Sequence, residues 1–164
     1  MTSGAQNPRD SVTQMTQIVL TQHTNAVGTA FGGTVMSWID VCAAVTAQRH
    51  CRAVAVTASV DDLHFRAPLR LGDVVVLEAR VNAVFNTSLE VRVTVEREEP
   101  QSGERVRCVN ARLTFVRLDR DGRPQQVPPL ILETDEDRSI EQDALERRAE
   151  RLERRRRRRE AAEG

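Results

Sequence analysis

A short segment combines an asparagine, two glycines and an aspartate in an order that suits chemistry on a carbonyl group. Asn25 comes first, Gly32 and Gly33 stand at the predicted start of a helix, and Asp40 follows within that helix. The first amides of a helix have no partner inside it, and the helix dipole adds partial positive charge there. Glycine also lets a ligand approach the backbone closely. The segment therefore predicts a site for a polarised carbonyl oxygen, although tight packing of helix on sheet would require the same glycines.

Asp40 is the candidate general base of this segment. It lies between Ile39 and Val41, near small apolar residues, so we expect its carboxylate to be partly desolvated. Desolvation disfavours the charged form, which suits a base that works near neutral pH. The alternative is an aspartate on the solvent side of the helix, and the sequence leaves both interpretations open.

Other kinds of catalytic centre find no support. His23, His50 and His64 have no metal-ligand spacing and are interpreted as surface or turn residues, and no serine stands in a Gly-x-Ser-x-Gly motif. We therefore expect no metal and no cofactor. The cysteines likewise show no ligand spacing and are interpreted as free structural thiols in a reducing cytoplasm: Cys42, Cys51 and Cys108.

Composition excludes several classes of protein. The chain has 164 residues, 40% hydrophobic and 29% charged, which suits one globular domain with a polar extension. No apolar run reaches the roughly 20 residues of a membrane-spanning helix, and the first residues do not form a secretory signal. We expect a cytoplasmic protein without a membrane partner, and the net charge of +0 argues against nucleic acid as a partner.

The hydrophobic pattern predicts one helix packed on an antiparallel sheet of about five strands, an α+β fold. A helix begins near Thr34 and carries small residues on its buried face. The turns recur often enough to make the later strands antiparallel neighbours. We expect disorder over residues 1–10, a folded domain over 11–132, and a Glu- and Arg-rich helix over 133–164 that frays after Arg155. The predicted strands are 11–21, 53–65, 74–81, 89–95 and 106–118.

The basic residues of the last segment allow two interpretations. All 24 basic residues of the chain are arginines, which bind phosphate through a planar fork, although coding bias explains the lack of lysine equally well. The run from Arg154 to Arg159 suits either a phosphate contact or a solvated tail, and the neighbouring acidic residues favour the tail. Arg147, Arg148 and Arg151 lie nearer the folded domain and are the better phosphate candidates.

Several motifs together resemble the hotdog-fold acyl-CoA thioesterases, in particular the cytosolic acyl-CoA hydrolase branch. The strongest are HTNAVGTAFGG at 23–33 and MSWID at 36–40. Further matches are VTASVDD at 56–62, the segment 68–74, NTSLEV at 86–91, TFV at 114–116 and the two prolines at 128–129, with a weaker match at Glu146-Arg147-Arg148. The resemblance covers about residues 12–132, in the order that the family shows.

The resemblance implies hydrolysis of fatty acyl-CoA to free fatty acid and CoA. Asp40 would activate the attacking water, while Asn25 and the amide near Gly33 would hold the thioester oxygen. Family members pair edge to edge and often assemble as trimers of dimers, so each site would take Asn25 from one subunit and Asp40 from the other.

The resemblance also implies a CoA site, with CoA entering only as part of substrate and product. Two other functions stay open: a non-catalytic acyl-CoA-binding protein, and an enoyl-thioester hydratase. The hydratase branch needs a histidine close after its aspartate, whereas the next one here is His50. The acyl chain length is not indicated. The implied CoA contacts are Ala58, Ser59, Val60, Thr87, Ser88, Leu89, Arg147 and Arg148.

Overall fold

One long helix and five antiparallel strands account for most of the first 131 residues in the computed structural model, which describes residues 4–163. The chain divides into two units, Met1–Ile131 and Leu132–Gly164. The elements in chain order are β1 (Thr13–Ile18), α1 (Gly32–Cys51), β2 (Ala55–Phe65), β3 (Val74–Val84), β4 (Ser88–Glu98), β5 (Arg105–Arg117) and α2 (Asp135–Glu163).

The strands form a single sheet in the order β1-β3-β4-β5-β2. Strands β3, β4 and β5 are successive antiparallel neighbours, as predicted. Strand β2, however, pairs with β5 and not with β3, so residues 66–73 carry the chain across the fold and do not close a hairpin. Turn residues in that segment indicate a change of direction, but they do not specify which strand is the partner. Strands β1 and β2 are the two edges.

The core lies between α1 and one face of the sheet. Small side chains on α1 are fully buried, among them Ala43 and Ala47, and they let the helix lie close to the strands. Leu77, Leu89 and Phe115 from three neighbouring strands are also fully buried. Fully burying side chains of this size contributes about 1.5–3 kcal/mol each, so this packing fixes α1 on the sheet.

The N-terminal segment has more structure than its composition predicts. A 3-10 helix spans Pro8–Ser11, and the Asn7 side chain accepts a hydrogen bond from the Arg9 amide. The Gln6 amide donates to the Pro129 carbonyl at 2.9 Å, and the Ile131 amide donates to the Gln6 carbonyl at the same distance. Residues 4–10 therefore contradict the expected disorder, because long-range backbone bonds hold them. Residues 1–3 lie outside the described chain.

Helix α2 begins with a reciprocal cap. The Asp137 amide donates to Thr134 Oγ1, and the Thr134 amide donates to Asp137 Oδ2, both at 3.1 Å. The helix then continues to Glu163, so the fraying predicted after Arg155 is not observed. Ion pairs one turn apart, such as those of Glu153 with Arg156 and Arg157, support the helix in this region.

Candidate active site

The loop before α1 is built around the side chain of Asn25. Its Nδ2 donates to Thr29 Oγ1 at 2.9 Å, and its Oδ1 accepts from the amides of Val27 and Thr29. Gly28 adopts φ 76°, a left-handed conformation that glycine takes without strain. A primary amide carries two donor hydrogens, and within residues 4–163 only one of them meets an acceptor. Asn25 is exposed, so the second hydrogen remains available to a ligand.

The start of α1 presents unpaired amides beside that loop. The amides of Thr34 and Val35 donate to the Phe31 carbonyl, whereas those of Gly32 and Gly33 meet no acceptor among residues 4–163. A Cβ on Gly33 would lie 2.7 Å from Phe31 Cε1, so a side chain at this position would displace the ring. The predicted oxyanion site therefore has two free donors, with the Phe31 ring packed beside Gly33.

Asp40 lies half-buried on α1 and is tied to the neighbouring strand β2. Thr57 Oγ1 donates to Asp40 Oδ1 at 2.6 Å, a short distance typical of a hydroxyl bound to a carboxylate. Asp40 Oδ2 has no hydrogen-bond partner among residues 4–163 and is free to accept a proton from water. The carboxylate is thus fixed at one oxygen and available at the other.

Within one chain the structure does not place the Asp40 carboxylate beside the Gly33 amide. Gly33 and Asp40 are seven residues apart on the same helix, which separates them by about 10.5 Å at 1.5 Å per residue. A single thioester group cannot touch both positions. One chain therefore carries the parts of a site, but does not assemble them around one ligand.

The two predicted CoA segments lie on β2 and at the start of β4, on either side of β5. Thr57 pairs with Phe115, which in turn pairs with Leu89. Ala58 is an extra residue of a β-bulge in β2, a feature that redirects side chains, and both Ala58 and Val60 are exposed.

The other predicted CoA residues differ in how exposed their side chains are to a ligand. Leu89 is fully buried, so its side chain is part of the core. Ser59 donates to Asp61 at 2.7 Å. Thr87, in the turn before β4, and Ser88, the first residue of β4, are both half-buried. Arg147 and Arg148 are half-buried residues of α2, in the second unit of the chain.

A cavity of about 310 Å³ lies beside the start of α1 and shares Thr29 with the Asn25 loop. Its other lining residues are Ala30, Val35, Phe65, Arg66, Ala67, Pro68 and Leu69, most of them apolar.

Two further classes of site find no support in residues 4–163. These residues contain no group of three side chains suited to holding a metal ion. None of their helices is long and apolar enough to cross a membrane.

Comparison with known proteins matches this architecture to one family. The thioesterase superfamily model matches residues 27–104. The uncharacterized acyl-CoA thioester hydrolase YkhA of Bacillus subtilis is 40% identical over 148 residues, which span 90% of this chain and 86% of that protein. The chain belongs to the hotdog-fold acyl-CoA thioesterases.

Solved structures agree with that assignment. A hexameric acyl-CoA thioesterase superposes with a TM-score of 0.87 at 36% identity, covering 93% of this chain and 97% of the other. An acyl-CoA hydrolase from Staphylococcus aureus, solved with butyryl-CoA and CoA, superposes with a TM-score of 0.89 at 33% identity. The superposition covers 97% of this chain and 97% of the other. Variants of that enzyme with alanine in place of an asparagine, an aspartate or a threonine have also been solved.

Thr57 is the site residue that the sequence reasoning missed. It stands inside the VTASVDD motif, but nothing in its spacing shows that β2 would bring it against Asp40 on α1. The cysteines agree with their interpretation as structural thiols, but the interpretation of His50 as a surface or turn residue is wrong. His50 lies on the buried face of α1, in helical register with Ala43 and Ala47, and is fully buried. The three cysteines are free and buried, and burial raises the pKa of both Cys42 and Cys51 to about 11. Burial also lowers the pKa of His50, whose Nε2 bonds to the Pro128 carbonyl at 2.9 Å.

Proposed function

We propose that this protein hydrolyses fatty acyl-CoA thioesters to free acid and CoA, with Asp40 as the general base. The observation that carries the proposal is the Asp40 carboxylate, fixed by Thr57 at one oxygen and open at the other. Water donates a proton to the free oxygen as it attacks the thioester carbon. The carbon–sulfur bond then breaks, and CoA leaves as the thiolate, which takes the proton back from Asp40.

Asn25 and the Gly33 amide stabilise the charge that develops on the thioester oxygen. Each offers a donor that no described group occupies, and the N-terminal end of the α1 dipole reinforces them. Removing one such donor from a hydrolase typically costs about 10²–10³ in kcat. We expect a loss of that size in Asn25→Ala.

A second copy of the chain completes the site. Because Gly33 and Asp40 of one chain are about 10.5 Å apart, a partner must bring its Asp40 to the first chain's helix start. Edge strand β2 carries exposed apolar side chains, including Val56 and Val60, which suit a strand-to-strand contact. We propose homodimers paired at the sheet edge, assembled further as trimers of dimers. The hexameric state of the thioesterase neighbour supports that assembly.

The spacing of the site residues supports the assignment of roles. In the S. aureus enzyme, the three positions replaced by alanine are separated by 15 and 17 residues. Asn25, Asp40 and Thr57 show the same two separations. The coincidence of residue type and spacing suggests that these three side chains act together here as well.

The apolar cavity beside α1 is our candidate for the acyl chain. It lies next to the Asn25 loop, so a carbonyl held by Asn25 can direct its alkyl chain toward Val35 and Leu69. The CoA moiety would extend along Ala58, Ser59 and the turn before β4. Arg147 and Arg148 remain proposed phosphate contacts, and a cytoplasmic location remains a prediction.

Hydration of an enoyl thioester is the weaker alternative. That chemistry would need a histidine near Asp40, but His50 is fully buried and bonded to a backbone carbonyl. Acyl-CoA binding without hydrolysis is the other alternative, and an activity measurement separates it from our proposal.

The test is thiol release from a panel of acyl-CoAs of rising chain length. We expect release by the wild type and at least a hundredfold loss in Asp40→Asn, because the amide cannot accept the proton. Asp121→Asn is the matched control, since Asp121 lies in an exposed turn of the same unit. Absence of release at every chain length would refute the proposal. Calorimetric binding of CoA in that case would point to the non-catalytic alternative.

A further inference from the structure

The end of α2 carries an exposed basic cluster whose charge is not balanced. Residues 154–159 are six consecutive arginines, and all are exposed. Arg156 and Arg157 both bond to Glu153, at 3.0 and 2.9 Å. The other four make no hydrogen bond or ion pair with any residue that the structure describes: Arg154, Arg155, Arg158 and Arg159.

The four unpaired arginines share one side of the helix. Successive residues of an α-helix are rotated by about 100°, which places these four within an arc of about 140°. Glu153 and Glu160 fall on the opposite side by the same rotation, as do the arginines paired with them. The terminal part of α2 therefore has a basic face and a neutralised face. The neutral total charge of the chain conceals this separation.

We propose that the basic face of α2, formed by Arg154, Arg155, Arg158 and Arg159, binds the surface of an anionic lipid bilayer. Clusters of four to eight basic residues on a helix are typical of contacts with anionic lipids. A planar surface touches one side of a helix, which matches the one-sided charge. A groove in a nucleic acid would enclose the helix and bring Glu153 and Glu160 close to phosphates.

The contact would be peripheral and electrostatic. Residues 150–163 of α2 contain a single large apolar residue, Leu152, so little of this part of the helix can enter the hydrocarbon layer. We expected no membrane partner because the sequence has no membrane-spanning segment. Peripheral binding to a bilayer surface does not need such a segment. Screening acts over about 8 Å at physiological salt, so binding should weaken as salt rises.

The experiment is co-sedimentation of the full-length protein with phosphatidylcholine vesicles, with and without phosphatidylglycerol. We expect binding only to the anionic vesicles. Attraction of about 1 kcal/mol per arginine corresponds to about fivefold in partitioning, so Arg155→Gln/Arg159→Gln should reduce partitioning about 25-fold. Arg156→Gln/Arg157→Gln removes the same charge from the neutralised face and should lose less than fivefold. Glutamine is a good helix former, and circular dichroism verifies that both variants keep α2.

Three results would overturn the proposal. Failure of the wild type to bind anionic vesicles would remove it outright. An equal loss in both double variants would show that net charge, and not the basic face, is responsible. Binding to a DNA or RNA duplex in place of vesicles would assign the cluster to nucleic acid. None of these readouts depends on thioester hydrolysis, so the inference and the proposed activity can fail separately.

Discussion

Replacing Thr57 with valine tests whether its hydroxyl positions the Asp40 carboxylate that we propose as the general base. Valine keeps the shape of threonine and favours strands, so β2 should retain its pairing with β5. The lost bond is 2.6 Å long and joins a hydroxyl to a carboxylate. Hydrogen bonds to charged groups contribute about 1.5–3 kcal/mol, and the exposure of Thr57 places this one near the lower end. We therefore expect kcat to fall about tenfold.

The assay is thiol release under saturating acyl-CoA, together with a thermal melt. KM should change little, because Thr57 acts through Asp40 and not on the substrate. Thr57→Ser keeps the hydroxyl and should stay within about twofold of the wild type. A valine variant with wild-type kcat would refute the positioning role. A serine variant as slow as the valine variant would show that the methyl group, and not the hydrogen bond, matters.

Three further predictions concern the assembly and the buried groups. Mixing Asn25→Ala chains with Asp40→Asn chains should restore about a quarter of wild-type thiol release, since half of the dimers regain one intact site; mixtures as inactive as their parents would argue against a shared site. His50 is harder to protonate when folded, so its contribution to stability is present above pH 6.5 and lost as the pH falls below it. Melts of wild type and His50→Gln should then converge in acid by up to about 1.4 kcal/mol per pH unit, and parallel curves would contradict this. The buried thiols should react with a thiol reagent only on unfolding; rapid labelling of native protein would show an open structure.

The sequence predicted most of the fold because hydrophobic periodicity depends on local geometry. The alternation in β4 and the small-residue face of α1 both follow from burial on one side. The position of β2 at the far edge beside β5 could not be predicted in this way, since strand order depends on long-range pairing. The ordered conformation of the segment around Gln6 was not predicted either. Its backbone hydrogen bonds go to residues more than a hundred positions away.

The site was predictable in part. The loop at Asn25 and the glycines at the helix start are local features, so their donors could be predicted from residue type. The bond between Thr57 and Asp40 joins residues 17 positions apart on two different elements, and no local pattern specifies it. The distance between Gly33 and Asp40 could be calculated only after the structure showed one continuous helix from Gly32 to Cys51. That distance is the reason for proposing a second chain at the site.

The most direct test of the account is a single-turnover hydrolysis of an acyl-CoA in water labelled with heavy oxygen, with enzyme in excess. If Asp40 activates water, the label enters the released acid, and Asp40 stays unlabelled in a peptide mass spectrum. Label in the Asp40 carboxylate would show that it attacks the thioester itself. That result would contradict the role as general base, which its fixed and free oxygens support.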